Sequence, residues 1–145
     1  MADTTTATAN RFAFGKVTSV KDGQVAFNPR GTSYELQLAV AKYSGPLNTP
    51  ITCLIRVTAR KVYTVPSGGN FIVPIFGPPR IVQGRVRSAD SKSIVVHAAC
   101  PIHVDLPAED HAIDLDEGPI GVGRMVNVVC LPGARLEIMA DDRSL

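Results

Sequence analysis

Tyr34, Leu36, Leu38 and Val40 alternate with the polar Glu35 and Gln37, and this period of two recurs along nearly the whole chain. Successive side chains of an extended strand point to opposite faces, so the pattern describes strands with one buried and one wet face. Ile51, Cys53, Ile55, Val57 and Ala59 form a second stripe against Thr52, Arg56 and Thr58. Ile102, Val104 and Leu106 form a third against His103 and Asp105. No segment carries the 3.6-residue stripe of an amphipathic helix. The chain is therefore expected to be all-β, with at most one short helix, and the candidate helix is Pro107–Asp116. A proline opens that segment, and its carboxylates suit a first helical turn.

The expected strands are Phe12–Val20, Gln24–Phe27, Tyr34–Val40, Ile51–Ala59, Val62–Val65, Phe71–Phe76, Ile81–Ser88, Ser93–Ala98, Ile102–Leu106, Arg124–Cys130 and Ala134–Met139. Asp22-Gly23 and Pro132-Gly133 read as tight turns. The run Phe71–Phe76 is apolar on both faces, which predicts burial between parts of the chain or against another subunit. Phe12, Phe14, Phe27 and Tyr34 read as core residues from their alternation.

Part of the pattern repeats. Gly15-Lys16-Val17-Thr18-Ser19 matches Gly84-Arg85-Val86-Arg87-Ser88, and Val25 and Phe27 match Ile94 and Val96 at the same spacing of 69; Ala59-Arg60 recurs as Ala134-Arg135. Each half reads as five strands with its longest connection between the third and fourth, the layout of an OB-fold in strand count and loop placement. A half of about 65 residues is marginal as a free-standing core. The expectation is two similar barrel-like halves packed together, residues 11–80 with a crossover at Val65–Arg80 and residues 81–145, preceded by a disordered tail over residues 1–10. A single sandwich built jointly by both halves is the alternative.

Composition narrows the functional classes. Hydrophobic residues make up 45% of the 145 positions and charged residues 19%, enough apolar material for a packed core. No apolar run approaches the roughly 20 residues of a membrane-spanning helix. Met1–Asn10 lacks the basic start and apolar stretch of a secretory signal. Cys53, Cys100 and Cys130 are odd in number and each sits in an apolar run, which fits buried thiols in a reducing cytoplasm.

The net charge of +2 conceals an asymmetry: residues 1–92 hold twelve Lys and Arg against four Asp and Glu, and residues 93–145 hold three against nine. Asp105, Glu109, Asp110, Asp114, Asp116 and Glu117 carry most of the acidic surplus. Such halves suit an acidic partner for the basic part, or mutual attraction within one chain or between copies.

Candidate chemistry is sparse. His97, Cys100, His103 and Asp105 are zinc-ligand types close in sequence, with His111 nearby. A turn at Cys100-Pro101 and the lack of a CxxC or HExxH pair argue against a preformed centre, and no cofactor is expected. Ser67 lacks the glycine pattern of a nucleophile elbow. Gly68-Gly69 could turn backbone amides toward an anion, but no GK[ST] or helix follows. Arg56, Arg60, Lys61, Arg80, Arg85 and Arg87, with Tyr63, are the candidates for contacting a single-stranded nucleic acid. Three readings result. The first is a non-catalytic, self-associating assembly module, most simply a dimer in which basic residues of one copy meet Asp105–Glu117 of another. The second is a single-strand nucleic-acid binder, and the third a metal-dependent enzyme using the His97–His111 region.

Overall fold

The structure is a computed structural model, which describes residues 12–40, 43, 45–108, 113–115 and 118–138. The tail expected at 1–10 lies outside the described residues. Among those described the fold is all-β, without a helix: twelve strands join in one hydrogen-bonded sheet. In chain order they are β1 Ala13–Lys21, β2 Gln24–Pro29, β3 Glu35–Ala39, β4 Ile51–Thr64, β5 Phe71–Val73, β6 Phe76–Gly77, β7 Ile81–Ala89, β8 Ser93–His97, β9 Pro101–Asp105, β10 Ile113–Asp114, β11 Met125–Cys130 and β12 Arg135–Ile138.

β4 organises the sheet. Its first residues pair with β1 (Ala13↔Cys53) and, on the opposite edge, with β12 (Arg135↔Arg56, Ile138↔Cys53). Further on, it runs parallel to β9 (Arg56↔His103, Thr58↔Asp105) and antiparallel to β11 (Val126↔Thr64). The ladder β1–β2–β3–β12–β4 thus returns to β1, and the ladder β7–β8–β9–β4–β11 returns to β7. Both circuits run through β4. Their inward side chains form one cluster, with Phe27, Leu36, Leu38, Ile55, Val57, Val62, Ile72, Val82, Ile94, Ile102, Val126 and Leu136 among its members.

Two local devices recur 69 positions apart. The β1–β2 register slips between Val17 and Ser19, and the β7–β8 register slips between Val86 and Ser88. Each slip is a bulge that bends and twists its strand. Two residues before each bulge sits a glycine, Gly15 or Gly84, where a Cβ would collide with the carbonyl oxygen of Asn28 or His97 respectively. Close approach of two backbones, rather than an unusual φ, requires glycine at both sites.

Several expectations need correction. Ile51–Ala59 and Val62–Val65 are one strand. Val129 pairs with Lys61 and Cys130 with Ala59, which leaves Arg60 as an extra residue. The inward set therefore switches from Cys53, Ile55, Val57 and Ala59 to Val62 and Thr64, and a sequence pattern broken at Arg60 looks like two strands. Phe71–Phe76 is not one buried strand. It is split into β5 and β6 around Pro74, which has no N–H to give a ladder, and of its large side chains Ile72 alone is buried. Phe14 points outward and is exposed, with the Arg30 guanidinium 5.4 Å from its ring centre. Within the helix candidate Pro107–Asp116, Ile113–Asp114 is a short strand parallel to Val62–Tyr63, and residues 109–112 and 116 are outside the described set. The turn at Asp22-Gly23 is present, with φ of 52° and 79°.

Candidate binding surfaces

Where the two circuits meet on β4, the outer face carries a cluster of charges from three strands. Arg56 on β4 places Nη1 3.4 Å from Glu137 Oε2 on β12 and Nε 3.5 Å from Asp105 Oδ2 on β9. Its Nη2 lies 3.2 Å from His103 Nε2, which is also 3.4 Å from Asp105 Oδ1. Arg135 Nε adds a contact of 3.2 Å to Glu137 Oε2. The register creates the cluster: Arg56 is the β4 residue that pairs with both Arg135 and His103. Arg56, counted among the candidate nucleic-acid residues, is thus bound to carboxylates of its own chain. Asp105, part of the acidic stretch assigned to a contact between copies, is engaged within the chain as well. Arg56→Leu removes the guanidinium that Asp105 and Glu137 share, leaving Asp105 to His103 and Glu137 to Arg135 in a half-buried site. It is expected to lower stability by about 1–2 kcal/mol, between the ranges for exposed and buried pairs, and urea denaturation reads that directly.

The other candidate metal ligands do not converge. Cys100 is buried, and burial pushes its thiol, like that of Cys130, up to about 12, so neither is a thiolate near neutral pH. His97 stands on β8 opposite Pro101, two residues along the ladder from the Val95↔His103 pair. Among the described residues no group of three or more His, Cys, Asp or Glu side chains is close enough to hold a metal ion; His111 lies outside them.

The remaining basic candidates are dispersed. Arg60 sits on the β4 bulge, exposed. Lys61 holds its ammonium 5.1 Å from the Tyr63 ring centre. Arg80 is exposed at the start of β7, donating its backbone N–H to Val73 O at 2.8 Å. Arg85 and Arg87 are exposed on the outer face of β7, and His97 is the cross-strand partner of Arg85. The loop Ser67–Asn70 is anchored to the sheet: Gln83 Nε2 donates to Gly69 O at 3.0 Å, and Asn127 Nδ2 donates to Gln83 Oε1 at 2.9 Å.

The largest departure from the sequence reading is the strap of β5 and β6. Its backbone is tied to both circuits. Phe71–Val73 pairs with β7, and Phe76 pairs with Glu35 on β3. Ile72 N–H donates to Tyr34 Oη at 3.1 Å, and Glu35 N–H donates to Ile75 O at 2.9 Å. On this hydrogen-bonded frame Val73, Ile75 and Phe76 are 44%, 51% and 68% exposed. A single exposed apolar side chain is ordinary. Three within four residues, held in place by main-chain bonds, form a patch of the kind that marks an interaction surface. Their shared apolar character is visible in the sequence, but nothing there separates burial inside the chain from burial against a partner.

Compared with known proteins, the chain matches no family model, no curated protein and no solved structure.

Proposed function

We propose that this chain is a non-catalytic assembly module. It consists of two five-stranded, OB-like barrel halves packed into one body, and it joins a second copy of itself through Val73, Ile75 and Phe76. The exposure of those three side chains on a strap fixed at both ends carries the reading. Each large apolar side chain fully covered in an interface contributes roughly 1.5–3 kcal/mol, and a symmetric dimer covers the patch twice.

The OB-like reading is supported by the order of the ladders. Number the strands of the first half β1, β2, β3, early β4 (Ile51–Arg56, which pairs with β1 and β12) and late β4 (Arg56–Thr64, which pairs with β9 and β11), and those of the second β7, β8, β9, β11 and β12. Each circuit then runs one, two, three, five, four, with strand five taken from the other half: β12 enters the first circuit and late β4 the second. The bulges and close-approach glycines that recur at a spacing of 69 support an internal repeat. Residues 11–80 and 81–138 are then two sequence units folded as one body by reciprocal strand exchange. Cys53, Cys100 and Cys130 are thiols outside any disulfide, which suits a reducing cytoplasm. No helix among the described residues is long and apolar enough to cross a membrane.

Light scattering tests the assembly reading. The wild-type chain is expected to show a mass above 15.4 kDa at tens of micromolar, and Phe76→Ser to return it to the monomer mass with its melting temperature retained. Ile75→Asp is expected to do the same, since Ile75 is half in solvent and a charge there is not forced into the core. A monomeric wild type, or a Phe76→Ser variant that self-associates as strongly, would refute the reading.

A further inference from the structure

Arg85 and Arg87 stand on the outer face of β7 with His97 opposite Arg85 on β8. Among the described residues the ion pairs belong to Arg56, His103 and Arg135, and neither Arg85 nor Arg87 pairs with a carboxylate. Two guanidinium groups next to a half-buried imidazole form a positive site with no carboxylate paired to either guanidinium among the described residues. The site is also built. Arg85 Nη1 donates to Gly123 O at 2.9 Å, which fixes the guanidinium and leaves its other N–H groups free to donate outward. Arg87 is the extra residue of the β7 bulge, a position that turns a side chain away from the regular ladder.

The surroundings indicate what the site holds. One step along β7 on the same face, Gln83 lies across from Phe71 on β5 and Asn127 on β11, and Asn127 lies across from Tyr63 on β4. Phe71 and Tyr63 are partly exposed. Neighbouring strands are about 4.8 Å apart and same-face residues about 7 Å apart along a strand, so both rings fall within one or two nucleotide lengths of the arginines. Arginine forks on phosphate beside aromatic rings that stack bases are how single strands are bound without a sequence code.

We infer that Arg85, Arg87 and His97 form a phosphate-binding site, and that the phosphate is carried by a single-stranded nucleic acid lying across β7 toward Phe71 and Tyr63. The path reaches the strap only at Phe71 and uses none of Val73, Ile75 and Phe76, and different variants read the two claims, so either can fail without the other.

His97 reports on it. Burial first, and the nearby Arg87 second, hold its pKa below the ordinary 6.5. From β7 it faces Arg85 and Arg87, and from β9 the uncharged Pro101; His103 further along β9 is held by Arg56 and Asp105. An anion seated on the arginines favours the imidazolium. The experiment follows the His97 ring signals by NMR against pH, in the full chain, with inorganic phosphate and separately with an oligothymidylate, and measures oligothymidylate affinity against salt. The oligothymidylate is expected to bind and to raise the His97 midpoint. Arg87→Ala is expected to weaken binding and reduce the slope of log affinity against log salt by about 0.7–1. Tyr63→Leu is expected to weaken the oligonucleotide and leave the response to inorganic phosphate unchanged. Melting curves of both variants check that each is folded. A midpoint raised equally by inorganic phosphate, with no tighter binding of the oligothymidylate, overturns the nucleic-acid assignment. A midpoint that responds to neither probe overturns the site.

Discussion

Leu136→Asp is expected to unfold the first circuit, although the substituted residue is far in sequence from β1, β2 and β3. Leu136 is buried, packs in the core cluster and pairs with Ile55. β12 fills the gap between β3 and β4, and Arg135 makes the parallel bridge to Ala39. A carboxylate at 136 must either enter that core unpaired or pull β12 out of the ladder. The first costs several kcal/mol, and the second leaves β3 and early β4 with open edges. Against a total stability of about 5–15 kcal/mol for an ordinary domain, a loss of roughly 3–5 kcal/mol is decisive. Amide exchange in β1, β2 and β3, distant in sequence, is expected to accelerate with that in β12. Fast exchange confined to residues near 136 would mean that β12 is an appendage and not a member of the first circuit.

Gly84→Val is the second large effect. Even an alanine Cβ at this position meets the His97 carbonyl carbon at 2.7 Å and the Ala98 Cα at 3.1 Å. Both neighbours are backbone, so no side chain can swing aside. β7 and β8 must separate two residues before the bulge that bends β7, breaking ladder bonds next to it. Alanine is expected to cost about 3 kcal/mol, at the upper end of overpacking losses, and valine more. Gly15→Ala is expected to behave alike, because its Cβ collides with Asn28 O and lies 2.9 Å from the Pro29 Cα. Thermal unfolding compares the three. A Gly84→Ala variant as stable as the wild type would show that β7 and β8 do not approach so closely in solution.

Many of the strands were legible in the sequence because their information is local. Leu36 and Leu38, or Ile102 and Val104, alternate within a few residues, and Asp22-Gly23 announces the turn that sets the β1–β2 register. The matching segments Gly15–Ser19 and Gly84–Ser88 read as a repeat, and the structure places a bulge and a close-approach glycine in each. The long-range pairings were not legible. Arg56 meets Glu137 across 81 positions, and no periodicity in either strand names the other as partner. The switch of inward face at Arg60 broke one long strand into two apparent ones. The strap was left open between two surfaces for a different reason. An apolar run states that its side chains prefer to leave water, and it does not state which surface they meet. The same limit applies to the β7–β8 site: Arg85 and Arg87 were visible as a basic pair, whereas His97 joined them only through the hairpin register.

Hydrogen exchange as a function of protein concentration tests the role of the strap most directly. Dilute and concentrated samples of the wild-type chain are compared under identical buffer conditions, with Phe76→Ser as the control. Self-association through Val73, Ile75 and Phe76 is expected to slow exchange in residues 73–77 as concentration rises, while β4 exchanges at an unchanged rate and the control shows no slowing. Exchange in residues 73–77 that is independent of concentration, or slowing that maps to another surface, would contradict the assignment of this strap as the place where two copies meet.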